Sequence, residues 1–185
     1  MLVAITGTPG TGKSSITSYL ENKGHIVLRL NEIAIENKFI IGYDKERRCY
    51  VIDVKKLSNH INEKYGNLKD IIFLDGHISH LVDNLDIVIV LRTDPKELKD
   101  RLLRKKWGKQ KIRENLEAEI LDIITIEALE KYPAKKIYEI DTTNKEIPEV
   151  SSIILNIIYG RFKNSKMYAV GKINWLNEKN LELLK

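Results

Sequence analysis

The sequence predicts an α/β fold in which a five-stranded, mainly parallel sheet is flanked by helices. Short apolar runs alternate along the chain with stretches whose apolar residues recur at helical spacing. The runs are apolar at odd and even positions alike, which is typical of parallel strands that are buried on both faces. Alternating strands and helices of this kind form a doubly wound fold, which binds its ligands at the carboxyl ends of the strands.

The candidate strands of this sheet are five apolar runs, each too short for a buried helix. In chain order they are residues 2–6, 25–30, 71–75, 86–92 and 136–141.

Three helices are predicted in the first half of the chain. The first follows the first strand and ends at Gly24, which is placed like a helix C-cap. A short second helix is expected to begin after Asn31, whose side chain is suited to capping it. Residues 38–52 have no clear period, and Gly42-Tyr43-Asp44 is predicted to mark a turn or loop. Asp53 is expected to begin the third helix, which Gly66 ends.

Further helices are predicted in the second half. Asp94, as N-cap, and Pro95, at the first helical position, begin one that runs into a basic stretch. The apolar spacing predicts one long amphipathic helix over residues 116–129. Another helix is expected over residues 149–159. A terminal helix is expected over residues 174–184, docked by its leucines on the flank of the sheet.

The stretch Gly7-Thr8-Pro9-Gly10-Thr11-Gly12-Lys13-Ser14 matches the phosphate-binding loop pattern G-x-x-x-x-G-K-[ST] completely. The loop lies between a predicted strand and a predicted helix, so its backbone N–H groups and the helix N-terminus are suited to binding phosphate. Lys13 is expected to face solvent in the nucleotide-free loop and to reach the β- and γ-phosphates of a nucleotide. The Ser14 hydroxyl is expected to ligate Mg²⁺. The sequence therefore predicts a P-loop NTPase fold.

Asp75 ends the third candidate strand, on the side of the sheet where the phosphate loop lies. It is therefore a candidate Mg²⁺ ligand, directly or through water. His77 points to the same side if the chain stays extended, and is suited to contacting Asp75, positioning water or phosphate, or carrying a proton. His80 is a rival candidate. The alternative for either histidine is an ordinary polar loop residue.

Composition limits the class of protein. At 185 residues and 43% apolar residues, the chain is expected to form one domain with a real core. Cys49 is the only cysteine, which excludes an internal disulfide framework and a cysteine-based zinc site. The sequence has no signal-peptide pattern and no bilayer-length apolar run, so a soluble protein in the cytoplasm, without membrane contact, is expected.

The net charge of +5 is unevenly distributed. Residues 101–113 contain seven basic residues and no acidic one, between two predicted helices, where a mobile lid would close over phosphates. A basic helix surface or a nucleic-acid contact is the alternative. A second basic cluster comprises Arg161, Lys163, Lys166 and Lys172, with Tyr168 and Trp175 nearby. Basic and aromatic residues together are suited to RNA, and a solvated surface is the alternative.

Several stretches together resemble the adenylate kinase isoenzyme 6 family, nucleoside monophosphate kinases that are also linked to maturation of the small ribosomal subunit. The resemblance covers about residues 1–160. It rests on Gly7 to Ser15, Gly42-Tyr43-Asp44 with Cys49, Asp75-Gly76-His77, Val90-Leu91-Arg92-Thr93-Asp94, and Glu114-Asn115 with Glu119.

The resemblance implies that residues 1–160 form a kinase domain that transfers a phosphoryl group from ATP to AMP with Mg²⁺, and that also has ATPase activity. It implies that residues 29–52 close over the monophosphate, that residues 104–114 form a short lid, and that Asp75 and His77 are a Walker B pair linked to activity. The residues implied to bind the ATP phosphates are Gly10, Gly12, Lys13, Ser14, Ser15 and Lys105. A small-subunit ribosomal protein and pre-rRNA are implied partners.

The sequence departs from this family at two positions. Lys105 stands where the family has a lid arginine, which keeps the charge but loses the planar fork. Ile35 replaces an arginine of the monophosphate segment, for which Arg29, Arg47 or Arg48 are candidate substitutes. Because of these departures and the basic extension at residues 161–185, a second hypothesis stays open: an ATP-driven assembly factor whose kinase activity is secondary.

Overall fold

The fold is built around a five-stranded sheet, in the residues that the computed structural model describes: 1–45, 49–160 and 165–184. All its strand pairs are parallel, in the order β2-β5-β1-β6-β7, which confirms the expected sheet. The strands are β1 (Leu2–Gly7), β2 (Ile26–Arg29), β3 (Ile40–Asp44), β4 (Cys49–Ile52), β5 (Ile72–Asp75), β6 (Ile87–Arg92) and β7 (Ile137–Asp141).

Helices cover both faces of this sheet, which explains why its strands are apolar throughout. The helices are α1 (Lys13–Asn22), α2 (Leu30–Glu36), α3 (Val54–Tyr65), α4 (Pro95–Arg104), α5 (Lys109–Ile120), α6 (Ile123–Lys131), α7 (Ile147–Ile158) and α8 (Glu178–Leu181). One apolar core includes residues of α3 and α6, and the other includes residues of α1 and α7. Asp53 and Asp94 cap α3 and α4 as expected, whereas α2 begins at Leu30 without a side-chain cap, so the expected capping by Asn31 is wrong.

Residues 38–52, which have no clear period, contain the antiparallel strands β3 and β4, which form a separate two-stranded sheet. The turn or loop predicted at Gly42-Tyr43-Asp44 is therefore wrong, because these residues belong to β3. Tyr43 and Tyr50 are paired across it, with ring centroids 5.5 Å apart. Pairing is irregular between Ile40 and Gly42, and much of the hairpin is exposed. The irregular pairing and the exposure explain why the segment forms strands without a regular hydrophobic period in its sequence.

The single long helix predicted over residues 116–129 is wrong, because the chain forms α5 and α6 with a break between them. Asp122 lies at the break in the left-handed conformation, with φ of 55°. Its carboxylate accepts a hydrogen bond from Arg92 in the sheet. A contact with a distant residue thus accompanies a turn that the local apolar spacing does not reveal.

The C-terminal segment follows the edge of the sheet and then reaches α5. Ala169 pairs with Tyr138 of β7, and the Gly171 N–H donates to Glu139 at 2.7 Å. The expected terminal helix is only α8 followed by a 3₁₀ turn over Glu182–Leu184. Expected docking on the flank of the sheet is also wrong: Leu176 and Leu181 are exposed, whereas Leu183 and Leu184 pack on a small core shared by α4 and α5.

Within the described part of the chain, no helix combines the length and the apolar character that crossing a membrane requires.

Candidate active site

The phosphate loop lies between β1 and α1, as expected. Gly10 and Gly12 have φ of 102° and 103°, a conformation that residues with a side chain rarely adopt. A Cβ on Gly10 would also lie 2.7 Å from a methyl carbon of Leu98 and 3.0 Å from one of Leu102. The backbone angles of the loop therefore favour glycine at both positions, and the packing of α4 leaves little room for a side chain at Gly10.

Lys13 does not face solvent, so that expectation is wrong. Its Nζ donates to the carbonyl oxygens of Gly7 at 2.7 Å and Thr8 at 3.1 Å, within the loop itself. Burial lowers the pKa of Lys13 to about 8, and repulsion from Lys105 contributes, although Asp75 and Glu119 oppose the change. A nucleotide phosphate would have to replace these two carbonyls as partners of the ammonium group.

A cavity of about 890 Å³ lies over the loop at the carboxyl end of the sheet. Residues from the loop, α1, β5, α4 and α7 line it, together with the start of the monophosphate segment. The candidate site residues from the sequence that line it are Gly10, Gly12, Lys13, Ser14, Ser15, Asp75, His77 and Lys105.

Asp75 and His77 both line this cavity, at the end of β5. The Asp75 carboxylate is buried and accepts a hydrogen bond from Thr17 Oγ1 at 3.1 Å. His77 remains exposed, yet partial desolvation and the charge of Lys13 lower the pKa of its imidazole. A neutral imidazole is thus favoured beside the cationic loop.

His80, the rival histidine, points away from the cavity into the protein. It is fully buried, with Nδ1 2.9 Å from Thr6 Oγ1 and Nε2 3.0 Å from a carboxylate oxygen of Glu127. Thr6 Oγ1 also lies 3.2 Å from the carbonyl oxygen of His77, to which it is suited to donate. His80 therefore ties the loop after β5 to β1 and α6, and this place fits a structural role.

Oxygen ligands suited to Mg²⁺ are present in the cavity lining. Ser14 supplies an exposed hydroxyl and Asp75 a carboxylate, a donor set that fits an ion sharing substrate phosphate oxygens and water. No separate group of three or more His, Cys, Asp or Glu side chains that would hold a metal occurs in residues 1–45, 49–160 or 165–184.

The basic stretch contributes three cations to the cavity, in two different ways. Arg104 and Lys105 are exposed at the end of α4. Arg101 is instead bonded within the protein, to Glu97, to Thr142 and to the Gly10 carbonyl oxygen at 3.3 Å. Trp107 packs on the small core of α4 and α5, and Lys111 lies 4.3 Å from its ring centroid.

Two residues distant in the sequence form hydrogen bonds with the phosphate loop, and the sequence did not indicate these contacts. Thr142 Oγ1 donates to the Thr11 carbonyl oxygen at 3.1 Å, and Thr8 Oγ1 donates to Glu119 at 2.5 Å. These partners lie more than a hundred residues from the loop, so no local pattern points to their contact.

The monophosphate segment reaches the same cavity through residues 29, 31 and 32. Arg29 lines the cavity, and its guanidinium forms an exposed ion pair with Glu21. Ile35, at the position of the missing arginine, is 51% exposed. The other two candidate substitutes, Arg47 and Arg48, lie outside the described residues.

Comparison with known proteins identifies the family. A family model described as an AAA domain matches residues 3–122. A protein of Archaeoglobus fulgidus named "Putative adenylate kinase" is 43% identical over 178 residues, which cover 96% of this chain and 93% of that protein. A protein of the same name from Methanosarcina barkeri is 39% identical, over 96% of this chain and 98% of its own length. The chain belongs to this adenylate-kinase-like family.

Solved structures with a similar fold agree with the architecture of an adenylate-kinase-like protein. Shikimate kinase from Acinetobacter baumannii matches with a TM-score of 0.58 at 18% identity, over 88% of this chain and 95% of its own. Thymidylate kinase from Candida albicans matches with a TM-score of 0.54 at 16% identity, over 86% and 91%. The P-loop NTPase fold of the kinase type expected from the sequence is therefore confirmed.

Proposed function

We propose that the protein is a nucleoside monophosphate kinase that transfers the γ-phosphoryl group of ATP to AMP, giving two ADP. The observation that carries the proposal is the single cavity of about 890 Å³ that joins the phosphate loop to Arg104 and Lys105 on one side and to Arg29 on the other. A kinase of this type must hold two phosphate chains in line, and cations around both offset the charge of the transferred group.

In this proposal the loop residues bind the phosphates of ATP. Lys13 leaves the carbonyl oxygens of Gly7 and Thr8 and donates to the β- and γ-phosphates. Gly10, Gly12, Ser14 and Ser15 contribute the backbone N–H groups that surround the phosphates. Lys105 and its neighbour Arg104 close from the lid, residues 104–114, and the monophosphate segment, residues 29–52, closes from the opposite side.

Mg²⁺, when bound, would neutralise charge that develops on the transferred phosphoryl group. Ser14 and Asp75 are the proposed ligands, and Thr17 holds the Asp75 carboxylate by a hydrogen bond. His77 is proposed to contact Asp75, water or the reacting phosphate from the end of the loop after β5. Little covalent chemistry is required of the protein, because positioning and charge neutralisation supply most of the catalysis.

A second candidate function is an ATP-driven assembly factor, in which ATPase activity controls binding to a ribosomal protein or pre-rRNA. The observation that favours it is the basic extension beyond residue 160, where Lys166 and Lys172 are exposed. In this alternative, water replaces AMP as the phosphoryl acceptor and the extension, residues 161–185, supplies part of the partner surface.

ADP formation with and without AMP distinguishes the two functions. The kinase proposal expects AMP to increase the rate of ADP formation strongly, and expects Lys13→Ala to abolish it. Lys55→Ala is a matched control, because Lys55 is an exposed lysine outside the cavity lining, the lid and the monophosphate segment. A rate that does not change with AMP would contradict the kinase proposal and favour the assembly factor.

A further inference from the structure

Glu119 is a buried carboxylate in the last turn of α5, only 2% exposed. Its Oε1 accepts hydrogen bonds from Arg92 Nε at 2.9 Å and the Thr93 N–H at 3.1 Å, and its Oε2 accepts one from Thr8 Oγ1 at 2.5 Å. All three partners are donors, so the carboxylate is an acceptor throughout.

Thr8 links this carboxylate to the rest of the phosphate loop by hydrogen bonds. It is the second residue of the loop and is 1% exposed. Its carbonyl oxygen accepts from Thr11 Oγ1 at 2.9 Å and from Lys13 Nζ at 3.1 Å. A displacement of Thr8 would therefore move one of the two oxygens that hold Lys13 before nucleotide binds.

We propose that Glu119 is a positioning residue for phosphoryl transfer, which fixes the start of the phosphate loop and the resting place of Lys13 by holding Thr8. This proposal rests on the proposed function of the same site. Because Glu119 belongs to the helix that follows the lid, it also attaches that helix to the phosphate loop. A purely structural role, as a counter-charge for Arg92, is the competing explanation.

Glu139 is the residue that separates the two explanations. It is also 2% exposed, and its Oε1 accepts from Arg92 Nη1 at 2.5 Å, but its other hydrogen bonds go to Thr125 and the Gly171 N–H. Glu139 therefore forms a buried ion pair with Arg92, as Glu119 does, but it makes no hydrogen bond to the phosphate loop. If Glu119 only balanced Arg92, the two glutamates would be equivalent in catalysis.

Activity compared with stability provides a readout that is specific for Glu119. Removing the charge of either glutamate takes one buried partner from Arg92, so both substitutions are expected to lower stability. Only Glu119 also accepts a hydrogen bond from Thr8, so only its substitution is expected to displace the start of the loop and lower activity.

Four variants separate the hydrogen bond from the charge. Thr8→Val removes the hydroxyl and keeps the carboxylate, and Thr8→Ser keeps both. Glu119→Gln removes the charge, and its amide oxygen is expected to stay with the Arg92 and Thr93 donors while its NH₂ group faces Thr8. Glu139→Gln is the matched control for loss of a buried charge beside Arg92.

The experiment measures kcat, KM for ATP with MgCl₂, and ATP affinity by titration, with folding checked by urea denaturation. Thr8→Val is expected to lower kcat/KM by about tenfold or more, the range of a lost hydrogen bond to a charged group, and Thr8→Ser to restore it. Glu119→Gln is expected to lower kcat/KM and ATP affinity as Thr8→Val does, whereas Glu139→Gln leaves both unchanged in the folded protein.

Equal effects of Glu119→Gln and Glu139→Gln on kcat/KM and ATP affinity, or a folded Thr8→Val variant with the kinetics of the native protein, would overturn the proposal. Titration with ATP keeps this result distinct from failure of the proposed function. A native protein that binds no ATP overturns both, whereas one that binds ATP and phosphorylates no AMP overturns the kinase proposal and leaves the binding test valid.

Discussion

Replacing Lys13 by methionine is expected to stabilise the protein while it abolishes activity. The ammonium group pairs with two carbonyl oxygens, and burial lowers its pKa from 10.5 to about 8. That difference corresponds to about 3 kcal/mol by which folding disfavours the charged form. Methionine fills similar space without a charge, so the variant is expected to gain up to roughly this amount at neutral pH, less the energy of the two lost hydrogen bonds.

The stabilising effect of Lys13→Met is expected to depend on pH, because Lys13 loses its proton at a lower pH in the folded protein than in the unfolded chain. Between about pH 8 and pH 10.5 the unfolded chain keeps the proton on Lys13 that the folded protein has lost. The native protein therefore gains stability from Lys13 as the pH rises through this window, and the penalty is fully present below it. The advantage of Lys13→Met should accordingly shrink towards pH 10.

Urea denaturation of the nucleotide-free protein at neutral and alkaline pH measures both effects. Lys109→Met is the control, because Lys109 is exposed and outside the cavity, and its stability should match that of the native protein. A Lys13→Met variant that is less stable at neutral pH, or whose difference from the native protein is independent of pH, would refute the reasoning.

Three further predictions concern the proposed catalytic pair, the buried ion network and the C-terminal extension. Asp75→Asn and His77→Ala should each lower kcat more than ATP affinity; a His77→Ala enzyme with native turnover would remove that residue from the site. Arg92→Ala should cost about 3–5 kcal/mol in urea denaturation because it leaves buried carboxylates unpaired, whereas Arg113→Ala, which loses an exposed ion pair, should cost under about 1 kcal/mol. Equal losses would contradict this. Replacing the three lysines at positions 163, 166 and 172 by alanine should weaken RNA binding and flatten its salt dependence without changing ADP formation; unchanged RNA binding would leave them as solvated surface.

The sheet and the phosphate loop could be predicted from the sequence because their determinants are local. Each strand of the sheet is a short apolar run, and the loop needs its glycines at fixed positions for its backbone angles. Parallel pairing then brings the end of β5, with Asp75, to the same edge as the loop. The cavity lined by Lys13, Asp75 and His77 follows from this topology.

Contacts between distant residues explain what the sequence did not reveal. Arg92 ends an apolar strand, yet it is 2% exposed and bonds to Glu119, Asp122 and Glu139. This network includes Asp122 at the break between α5 and α6, and Glu119, which also accepts a hydrogen bond from Thr8. Periodicity describes one segment at a time, so it cannot show which buried charges meet.

The central claim, transfer of a phosphoryl group between nucleotides, is tested most directly by following the γ-phosphorus of ATP. ATP that carries radioactive phosphorus at the γ position is incubated with the protein, MgCl₂ and AMP, and the products are separated. If the protein is a nucleoside monophosphate kinase, the label appears in ADP formed from AMP, and Lys13→Met forms none. Label that appears only as inorganic phosphate, at a rate independent of AMP, would contradict the account.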